Sequence, residues 1–206
     1  MSSDLLTRRG VCLVLSAPSG AGKSTIAKAL RAREAGLVNS VSVTTRPPRP
    51  GEQEGVDYFF RSAEQFADMA AAGEFAEWAT VFDRCYGTPK ALVEKALAGG
   101  YDMIFDIDWQ GFQQLRAAMP QDVVGVFVLP PSLAALRQRL HGRGTDSAAV
   151  IEERMDKALA EISHWREFDH VLVNDALEDA IDQAHAILIA ARSAVARQGG
   201  FTALGF

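Results

Sequence analysis

The fold of this chain is decided by the stretch Val11-Cys-Leu-Val-Leu-Ser16 and by the turn that follows it, Ala17-Pro-Ser-Gly-Ala-Gly-Lys-Ser24. The apolar run is typical of a buried strand, and Ser24–Arg33 has the apolar spacing of a helix. The turn matches the phosphate-binding P-loop pattern G-x-x-x-x-G-K-[ST], with alanine in place of the first glycine. A strand before and a helix after are the context that this motif requires.

A P-loop binds phosphate because its backbone N–H groups converge on the oxygens at the positive end of a helix. Lys23 is expected to reach the β- and γ-phosphates, and the Ser24 hydroxyl is a candidate Mg²⁺ ligand. Asp106 ends the apolar strand Tyr101–Asp106 and fits the carboxylate that holds Mg²⁺, directly or through water. The predicted nucleotide-binding residues of the loop are Ala17, Pro18, Ser19, Gly20, Ala21, Gly22, Lys23, Ser24 and Thr25. The motif alone leaves hydrolysis, switching and transfer to an acceptor open.

Strands and helices alternate along much of the remaining chain. A predicted strand at Tyr101–Asp106 is followed by a helix near Gly111–Met119, and one at Val123–Val128 by a helix at Ser132–His141. A further strand at His170–Val173 precedes a long helix that extends to about Gln198, with Asn174 and Asp175 as candidate caps. This order predicts an α/β fold in which a parallel sheet is flanked by helices on both faces.

Two segments interrupt the alternation. The first, from Ser40 to about Thr88, contains short strand-like pieces at Ser40–Thr44, Tyr58–Phe60 and Glu77–Phe82 and a helix at Ser62–Ala72 with a Ser62/Gln65 capping box. We interpret it as an inserted substrate-binding lobe. The second, His141–Ser147, is a glycine-rich joint between two helical segments. It is expected to act as a mobile lid, with an ordinary helix–helix connection as the alternative.

Length and composition exclude several classes of protein. The chain has 206 residues, 48% of them hydrophobic, and a formal net charge of -5, which fits one large domain or one domain with insertions. No apolar stretch is long enough for a membrane span, Met1–Gly10 lacks the core of a signal peptide, and the acidity argues against a dedicated nucleic-acid binder. Two cysteines, without metal-ligand spacing to the histidines, indicate free thiols in a reducing compartment rather than a zinc site or disulfides.

A second anion site is suggested by the loop Thr44-Thr-Arg-Pro-Pro-Arg-Pro-Gly51. Prolines stiffen this loop, and its guanidinium groups at Arg46 and Arg49 match the geometry of a phosphate. Tyr58 and Tyr86 are candidate hydroxyl donors nearby. A solvated basic turn is the alternative interpretation of two arginines at this spacing.

Several stretches in order carry a resemblance to a known family. They are Ser42-Val-Thr-Thr-Arg-Pro-Pro-Arg-Pro-Gly-Glu52, Gly55-Val-Asp-Tyr-Phe-Phe60, Phe75-Ala-Glu-Trp-Ala79, Tyr86-Gly-Thr88, Asp106-Ile-Asp-Trp-Gln-Gly111 and Gly142-Arg-Gly-Thr-Asp-Ser147. With the P-loop, they closely resemble the guanylate kinases over residues 11 to about 191. Thr88 stands where relatives often have serine and keeps the hydroxyl; Cys85 stands where some have an aromatic residue, and no role is assigned to it.

The resemblance implies roles for individual residues. It implies that Arg46, Arg49, Tyr58 and Tyr86 hold the phosphate of GMP and that Ser42, Glu77, Thr88 and Asp108 contact guanine. Carboxylates suit guanine because its N1–H and 2-amino groups are donors, whereas adenine would leave them unpaired. The resemblance also implies that Arg139, Arg143 and Arg154 stabilise the migrating phosphoryl group. Asn174 matches a position near the adenine of ATP, with a helix cap as the alternative.

The resulting expectation is a P-loop kinase core with an inserted mixed α/β GMP-binding lobe and a helical lid. The expected single domain, 1–206, divides into a core at about 1–39, 89–138 and 156–206, a lobe at about 40–88 and a lid at about 139–155. The expected activity is phosphorylation of GMP, and of dGMP, by ATP with Mg²⁺ in the cytoplasm, with no nucleic-acid or membrane partner. The alternatives are a related P-loop kinase of a phosphorylated sugar and a non-catalytic phosphopeptide-binding module. Oligomeric state and the role of residues 199–206 stay open.

Overall fold

The structure, a computed structural model, describes residues 8–81, 83–141 and 148–199, without the side chains of Ala148 and Ala149. Its strands are β1 (Cys12–Ser16), β2 (Leu37–Asn39), β3 (Val43–Thr44), β4 (Phe59–Phe60), β5 (Phe75–Val81), β6 (Arg84–Pro89), β7 (Asp102–Asp106), β8 (Val123–Leu129) and β9 (His170–Val173). Its helices are α1 (Lys23–Arg33), α2 (Ala63–Ala71), α3 (Lys90–Ala98), α4 (Trp109–Ala118), α5 (Leu133–His141), α6 (Ala148–Ile162) and α7 (Leu177–Arg192), with 3₁₀ turns at Ser163–Glu167 and Val195–Arg197.

The larger sheet has five parallel strands in the order β2-β7-β1-β8-β9. Its central strand β1 is buried along its whole length, and its side chains alternate between two apolar layers. Leu13 and Leu15 pack in the layer that includes α1 and α7, whereas Cys12 and Val14 pack in the layer that includes α3 and α4. The predicted parallel sheet flanked by helices is therefore confirmed.

The smaller sheet, in the order β4-β3-β6-β5, belongs to the inserted segment. β3 pairs parallel to β4, and the β3–β6 and β6–β5 pairs are antiparallel. Helix α2 covers this sheet through Phe66, whose ring stacks on Phe75 at a centroid distance of 4.6 Å. The predicted capping box at the start of α2 is confirmed, since Gln65 N–H donates to Ser62 Oγ and the Gln65 side chain accepts from Ser62 N–H.

Two strands and one helix were absent from the sequence prediction, and several boundaries differ, most of all the end of the last helix. The unpredicted elements are β2, β6 and α3. β6 contains glycine and proline and lacks an alternating apolar pattern, so its extended shape depends on pairing with β5. The last helix ends at Arg192 rather than near Gln198, and a 3₁₀ turn follows it. Its N-cap is Ala176, so the prediction of Asn174 and Asp175 as helix caps was wrong.

A buried carboxylate at the start of β7 joins the segment before β1 to the end of α7, at the amino edge of the larger sheet. Asp102, which is 0% exposed, forms ion pairs with Arg8 at 2.7 Å and with Arg192 at 2.8 Å. It also accepts the backbone N–H of Val11 at 3.0 Å. This network fastens the residues before β1 and the end of α7 to β7, at the edge opposite the P-loop. Among the described residues, no helix combines the length and apolarity that a membrane crossing requires.

We expect Asp102→Asn to lower the free energy of unfolding by about 3 kcal/mol, because it removes the buried charge that Arg8 and Arg192 share, and among the described residues only Arg192 keeps a second carboxylate partner, Glu34, at 2.8 Å. Denaturant unfolding followed by circular dichroism measures this change. Asp156→Asn, which neutralises an exposed carboxylate on α6, is the control and is expected to change stability by less than about 0.5 kcal/mol. Equal effects of the two substitutions would contradict the assignment.

Candidate active site

The P-loop forms a cradle between the end of β1 and the start of α1. Gly20 and Gly22 have φ angles of 91° and 98°, a conformation that glycine adopts at little cost. A Cβ on Gly22 would also lie 2.3 Å from Asn174 Nδ2. Among the described non-glycine residues only Asp83 has a positive φ, so alanine fits at Ala17. A cavity of about 300 Å³ lies in this cradle, lined by Ala17, Pro18, Ser19, Gly20, Gly22, Lys23, Ser24, Thr25 and Glu161.

Lys23 and Ser24 meet the end of the neighbouring strand β7. Lys23 Nζ lies 2.9 Å from Asp106 Oδ1 and donates to the carbonyl oxygen of Ile107 at 3.0 Å. The Ser24 hydroxyl donates to Asp106 Oδ2 at 2.6 Å. A hydroxyl and a carboxylate side by side are hard oxygen donors of the kind that Mg²⁺ binds together with phosphate oxygens. Within the described part of the chain, no cluster of three or more His, Cys, Asp or Glu side chains could hold a metal by itself.

A second cavity, of about 330 Å³, lies between the core and the smaller sheet. Its lining residues are Lys23, Ser42, Tyr58, Glu77, Ala79, Val81, Tyr86, Asp106, Ile107 and Asp108. Lys23 lines both cavities, so its ammonium group stands where the two meet. The structure therefore brings the predicted P-loop residues and most of the predicted acceptor residues to one place.

Two carboxylates, Glu77 and Asp108, line the second cavity, and we call the part of the cavity beside the buried Glu77 its inner end. Glu77 is only 7% exposed, and its Oε1 accepts the Thr88 hydroxyl at 2.5 Å. Asp108 caps α4 by accepting the N–H of Gly111 at 2.9 Å. Burial, followed by the nearby charge of Asp108, raises the pKa of Glu77. The Ser42 hydroxyl lies 3.4 Å from that of Thr88 and completes a group of hydrogen-bonding oxygens.

The two predicted phosphate-binding arginines share one acidic partner that the sequence analysis did not single out. Arg46 forms an ion pair with Glu52 at 2.8 Å, and the backbone N–H of Arg49 donates to Glu52 Oε2 at 2.7 Å. The guanidinium group of Arg46 also lies 5.4 Å from the Tyr58 ring centroid. Arg46 lowers the pKa of Glu52, which keeps this carboxylate ionised. Neither arginine is among the residues that line the second cavity, whereas the tyrosines at 58 and 86 are, and Arg49 is exposed.

Two of the predicted lid arginines, Arg139 and Arg154, lie on α5 and α6. Arg139 donates to the carbonyl oxygen of Asn174 at 2.8 Å, and Arg154 Nη2 donates to Ser19 Oγ at 3.4 Å. Arg143 lies outside the described residues. Asn174 follows β9, and its side chain donates to the carbonyl oxygen of Ala21 at 2.7 Å. Its buried amide therefore fastens the P-loop to the sheet, which explains why it is not a helix cap.

Glu161 is a second acidic residue of this site that sequence reasoning missed. Its carboxylate lines the phosphate cradle and accepts the backbone N–H of Ser19 at 3.3 Å. Burial raises the pKa of Glu161, and the hydrogen bond from Ser19, followed by the charge of Lys23, partly opposes this rise. Glu161 follows Arg154 by seven residues on α6, and this spacing places both on one helix face. That spacing was the one available signal.

The fold, with Lys23 between the P-loop cavity and the second cavity, defines the class of P-loop kinases. The family model described as guanylate kinase matches residues 9–191, and the chain belongs to this family. The chain is therefore an enzyme of the kinase class, and the predicted family is confirmed.

Individual relatives resemble the chain over nearly its whole length. It is 63% identical over 193 residues to the guanylate kinase of Gluconobacter oxydans, covering 94% of this chain and 93% of that one. It is 59% identical over 192 residues to that of Granulibacter bethesdensis, covering 93% and 90%. The crystal structure of guanylate kinase from Anaplasma phagocytophilum superposes with a TM-score of 0.74 at 37% identity, covering 98% of this chain and 96% of that chain.

We expect Glu77→Gln to stabilise the protein at neutral pH. The pKa of Glu77 is higher in the folded than in the unfolded protein, so ionisation of this carboxyl favours unfolding. The cost to stability is absent at acid pH, where the carboxyl is protonated in both states, and it grows as the pH rises through the two pKa values. The midpoint of thermal unfolding should therefore rise by about 2–4 °C at neutral pH, as roughly 1 kcal/mol produces in a chain of this size. Calorimetry at neutral pH and near pH 4 measures the difference.

The matched control is Glu74→Gln, which neutralises an exposed glutamate just before the same strand. It should leave the midpoint within about 1 °C at both pH values, as most surface substitutions do. A Glu77→Gln protein that is no more stable than the parent at neutral pH would show that the buried carboxylate carries no net cost.

Proposed function

We propose that this chain transfers the γ-phosphoryl group of ATP to the phosphate of GMP, with GDP and ADP as products, and that it accepts dGMP as well. The observation that carries this proposal is the position of Lys23 between a P-loop cradle and a second cavity that ends at the buried Glu77. Membership of the guanylate kinase family supports the same reaction. Because dGMP has the same base and phosphate as GMP, the groups proposed for recognition are the same.

The inner end of the second cavity is proposed to bind guanine. Glu77 and Asp108 accept hydrogen bonds from the N1–H and 2-amino groups, and the hydroxyls of Ser42 and Thr88 supply further polar partners. The buried position of Glu77 supports this assignment, since a carboxylate there gains most from a ligand that donates to it. Adenine offers an acceptor at N1, so it would leave this carboxylate unpaired.

The outer part of the second cavity is proposed to bind the phosphate of GMP. Tyr58 and Tyr86 line it and can donate their hydroxyls. Arg46 and Arg49 stand on the same loop and carry the positive charge that a phosphate needs. The ion pair of Arg46 with Glu52 holds this guanidinium group in a fixed place close to the Tyr58 ring.

The P-loop cradle is proposed to bind ATP through the backbone of residues 17–25, with Asn174 close to the adenine. Ser24 and Asp106 are proposed to hold Mg²⁺, which when bound neutralises charge on the β- and γ-phosphate oxygens. Arg139 and Arg154 are close to the cradle and are proposed to stabilise the migrating phosphoryl group, as is Arg143 outside the described residues.

In the proposed reaction an oxygen of the GMP phosphate attacks the γ-phosphorus in line, and the bond from that phosphorus to the β-phosphate oxygen breaks. No protein nucleophile is needed, because GMP itself supplies the attacking oxygen. Lys23 stands between donor and acceptor and stabilises the charge on the transferred oxygens. The single domain is proposed to divide into a lobe at about 40–88, a lid at about 139–155 and a core formed by the rest. Water would be excluded from the reaction when the lobe and the lid close over the core.

The alternatives fit the site less well. A sugar phosphate has no base edge for Glu77 and Asp108 to recognise, and a phosphopeptide-binding module has no use for the Lys23–Asp106–Ser24 arrangement. We propose that the enzyme acts in the cytoplasm and that its partners are nucleotides, with no nucleic acid or membrane among them.

An ADP-release assay with Mg-ATP tests the proposed reaction, with GMP, dGMP, IMP, AMP, CMP and UMP offered as acceptors. We expect rapid turnover with GMP and dGMP, and values of kcat/KM lower by about 100-fold or more with AMP, because a buried acceptor left unpaired costs several kcal/mol. Release of ADP without any acceptor, or with AMP as readily as with GMP, would refute the assignment of the second cavity.

We expect Lys23→Met to lower kcat by about 100-fold or more, since it removes a positive charge from the transferred oxygens while keeping a side chain of similar length. Lys28→Met, which removes an exposed lysine from the same helix, should keep nearly full activity. Circular dichroism confirms that both variants are folded. Near-normal turnover by Lys23→Met would remove Lys23 from the mechanism.

A further inference from the structure

The outer edge of β5 is paired with a side chain of the core. On one side β5 pairs with β6, and Trp78 lies opposite Gly87 in that pair. On the other side Trp78 N–H donates to Gln114 Oε1 at 3.0 Å, and Gln114 Nε2 donates to the carbonyl oxygen of Trp78 at 3.0 Å. The amide of Gln114 on α4 thus makes the two hydrogen bonds that a neighbouring strand would make.

An apolar contact beside this amide joins the same two elements. Ala76 of β5 is buried in the cluster that contains Phe112 and Leu115 of α4. The register of β5 shifts between Phe75 and Glu77, which indicates a β-bulge at this point. The bulge places Ala76 towards α4 and leaves Glu77 facing the cavity. Glu77 therefore lies between two attachments of β5 to α4.

The partner carboxylate belongs to the same helix. Asp108 is the N-cap of α4 and is held there by the N–H of Gly111. The approach of β5 to this first turn is close, since a Cβ built on Gly111 would lie 3.3 Å from Glu77 Oε2. The separation of the two carboxylates is consequently set by how β5 sits on α4.

We propose that Gln114 is a positioning residue for the acceptor base, which acts by fixing the distance between Glu77 and Asp108. The inference rests on the proposed function, in which these two carboxylates bind the donor groups of guanine. Gln114 itself does not line the cavity, so its effect passes through the backbone of Trp78. The 2-amino group of guanine is the part of the base whose recognition depends most on a correct spacing of two acceptors.

Gln114→Met tests this proposal, because methionine has a similar length and makes neither amide bond. Gln113→Met is the matched control, since the neighbouring Gln113 donates to Glu167 Oε2 at 2.5 Å, away from β5. Steady-state kinetics are measured with GMP and with IMP, which lacks the 2-amino group, at saturating ATP. For Gln114→Met we expect KM for GMP to rise about tenfold and kcat to stay within about twofold of the parent. This pattern is expected when a substitution weakens binding of the ground state and of the transition state equally.

The preference for GMP over IMP should fall by about fivefold or more in Gln114→Met, and KM for ATP should stay unchanged. Gln113→Met should match the parent in all of these quantities. A Gln114→Met enzyme that melts earlier but keeps the parental KM for GMP and the parental preference would make Gln114 structural only and would overturn the proposal. Failure of the parent enzyme to phosphorylate GMP would instead refute the proposed function.

A second variant covers the case in which Gln114→Met does not fold. Gln114→Glu keeps an acceptor for the Trp78 N–H but places a negative oxygen against the Trp78 carbonyl, so only one of the two bonds survives. We expect a smaller rise in KM for GMP and a smaller loss of preference over IMP than full removal would cause. Parental values of both quantities in Gln114→Glu would overturn the proposal.

Discussion

The parallel pairing of β1 between β7 and β8 is the constraint from which the rest of the site follows. Because the strands run in the same direction, β1 and β7 end at the same edge, with Leu15 opposite Asp106. The loop that leaves β1 therefore turns back beside Asp106, and the ion pair of Lys23 with Asp106 closes at 2.9 Å. An antiparallel arrangement would leave the carboxylate at the far edge of the sheet. The phosphate cradle, the acceptor cavity and the lysine between them all depend on this shared edge.

Local patterns in the sequence were sufficient to predict the parts of the fold that are specified locally. Apolar runs predicted the four longer strands of the parallel sheet, and a Ser-x-x-Gln pattern predicted the start of α2. Of the elements that were missed, β2 has only three residues, and β6 is extended because β5 and β3 lie on either side of it. The third, α3, is as long as the predicted α2 and has no such explanation. Asn174 resembled a helix cap in sequence, but a tertiary contact with Ala21 determines its role.

The predicted site residues came from motifs and from the resemblance, and the structure brings most of them to the two cavities. The side chains that hold them in place were not predicted. Glu161 contacts the P-loop, Gln114 contacts the strand that carries Glu77, and Glu52 contacts Arg46 and Arg49 within their own loop. The first two contacts join segments whose relative position only the folded chain defines, and the third depends on the conformation of the loop. A single sequence identifies functional groups by residue type and spacing. The residues that hold these groups in place are of common types, and their role is visible only from their contacts in the folded chain.

The donor groups of the proposed phosphate sites are already bound to carboxylates of the chain itself. Glu52 is bound to Arg46, Asp106 to Lys23, and Glu161 to the N–H of Ser19. Cations without such partners would repel one another, so the carboxylates hold the donors in place at the proposed sites. An incoming phosphate must then share or replace these partners, and the affinity gained is the difference between the two sets of contacts. Modest binding of the ground state suits a kinase. Interactions that become stronger only in the transition state, as charge moves onto the transferred oxygens, raise kcat rather than the affinity for substrate.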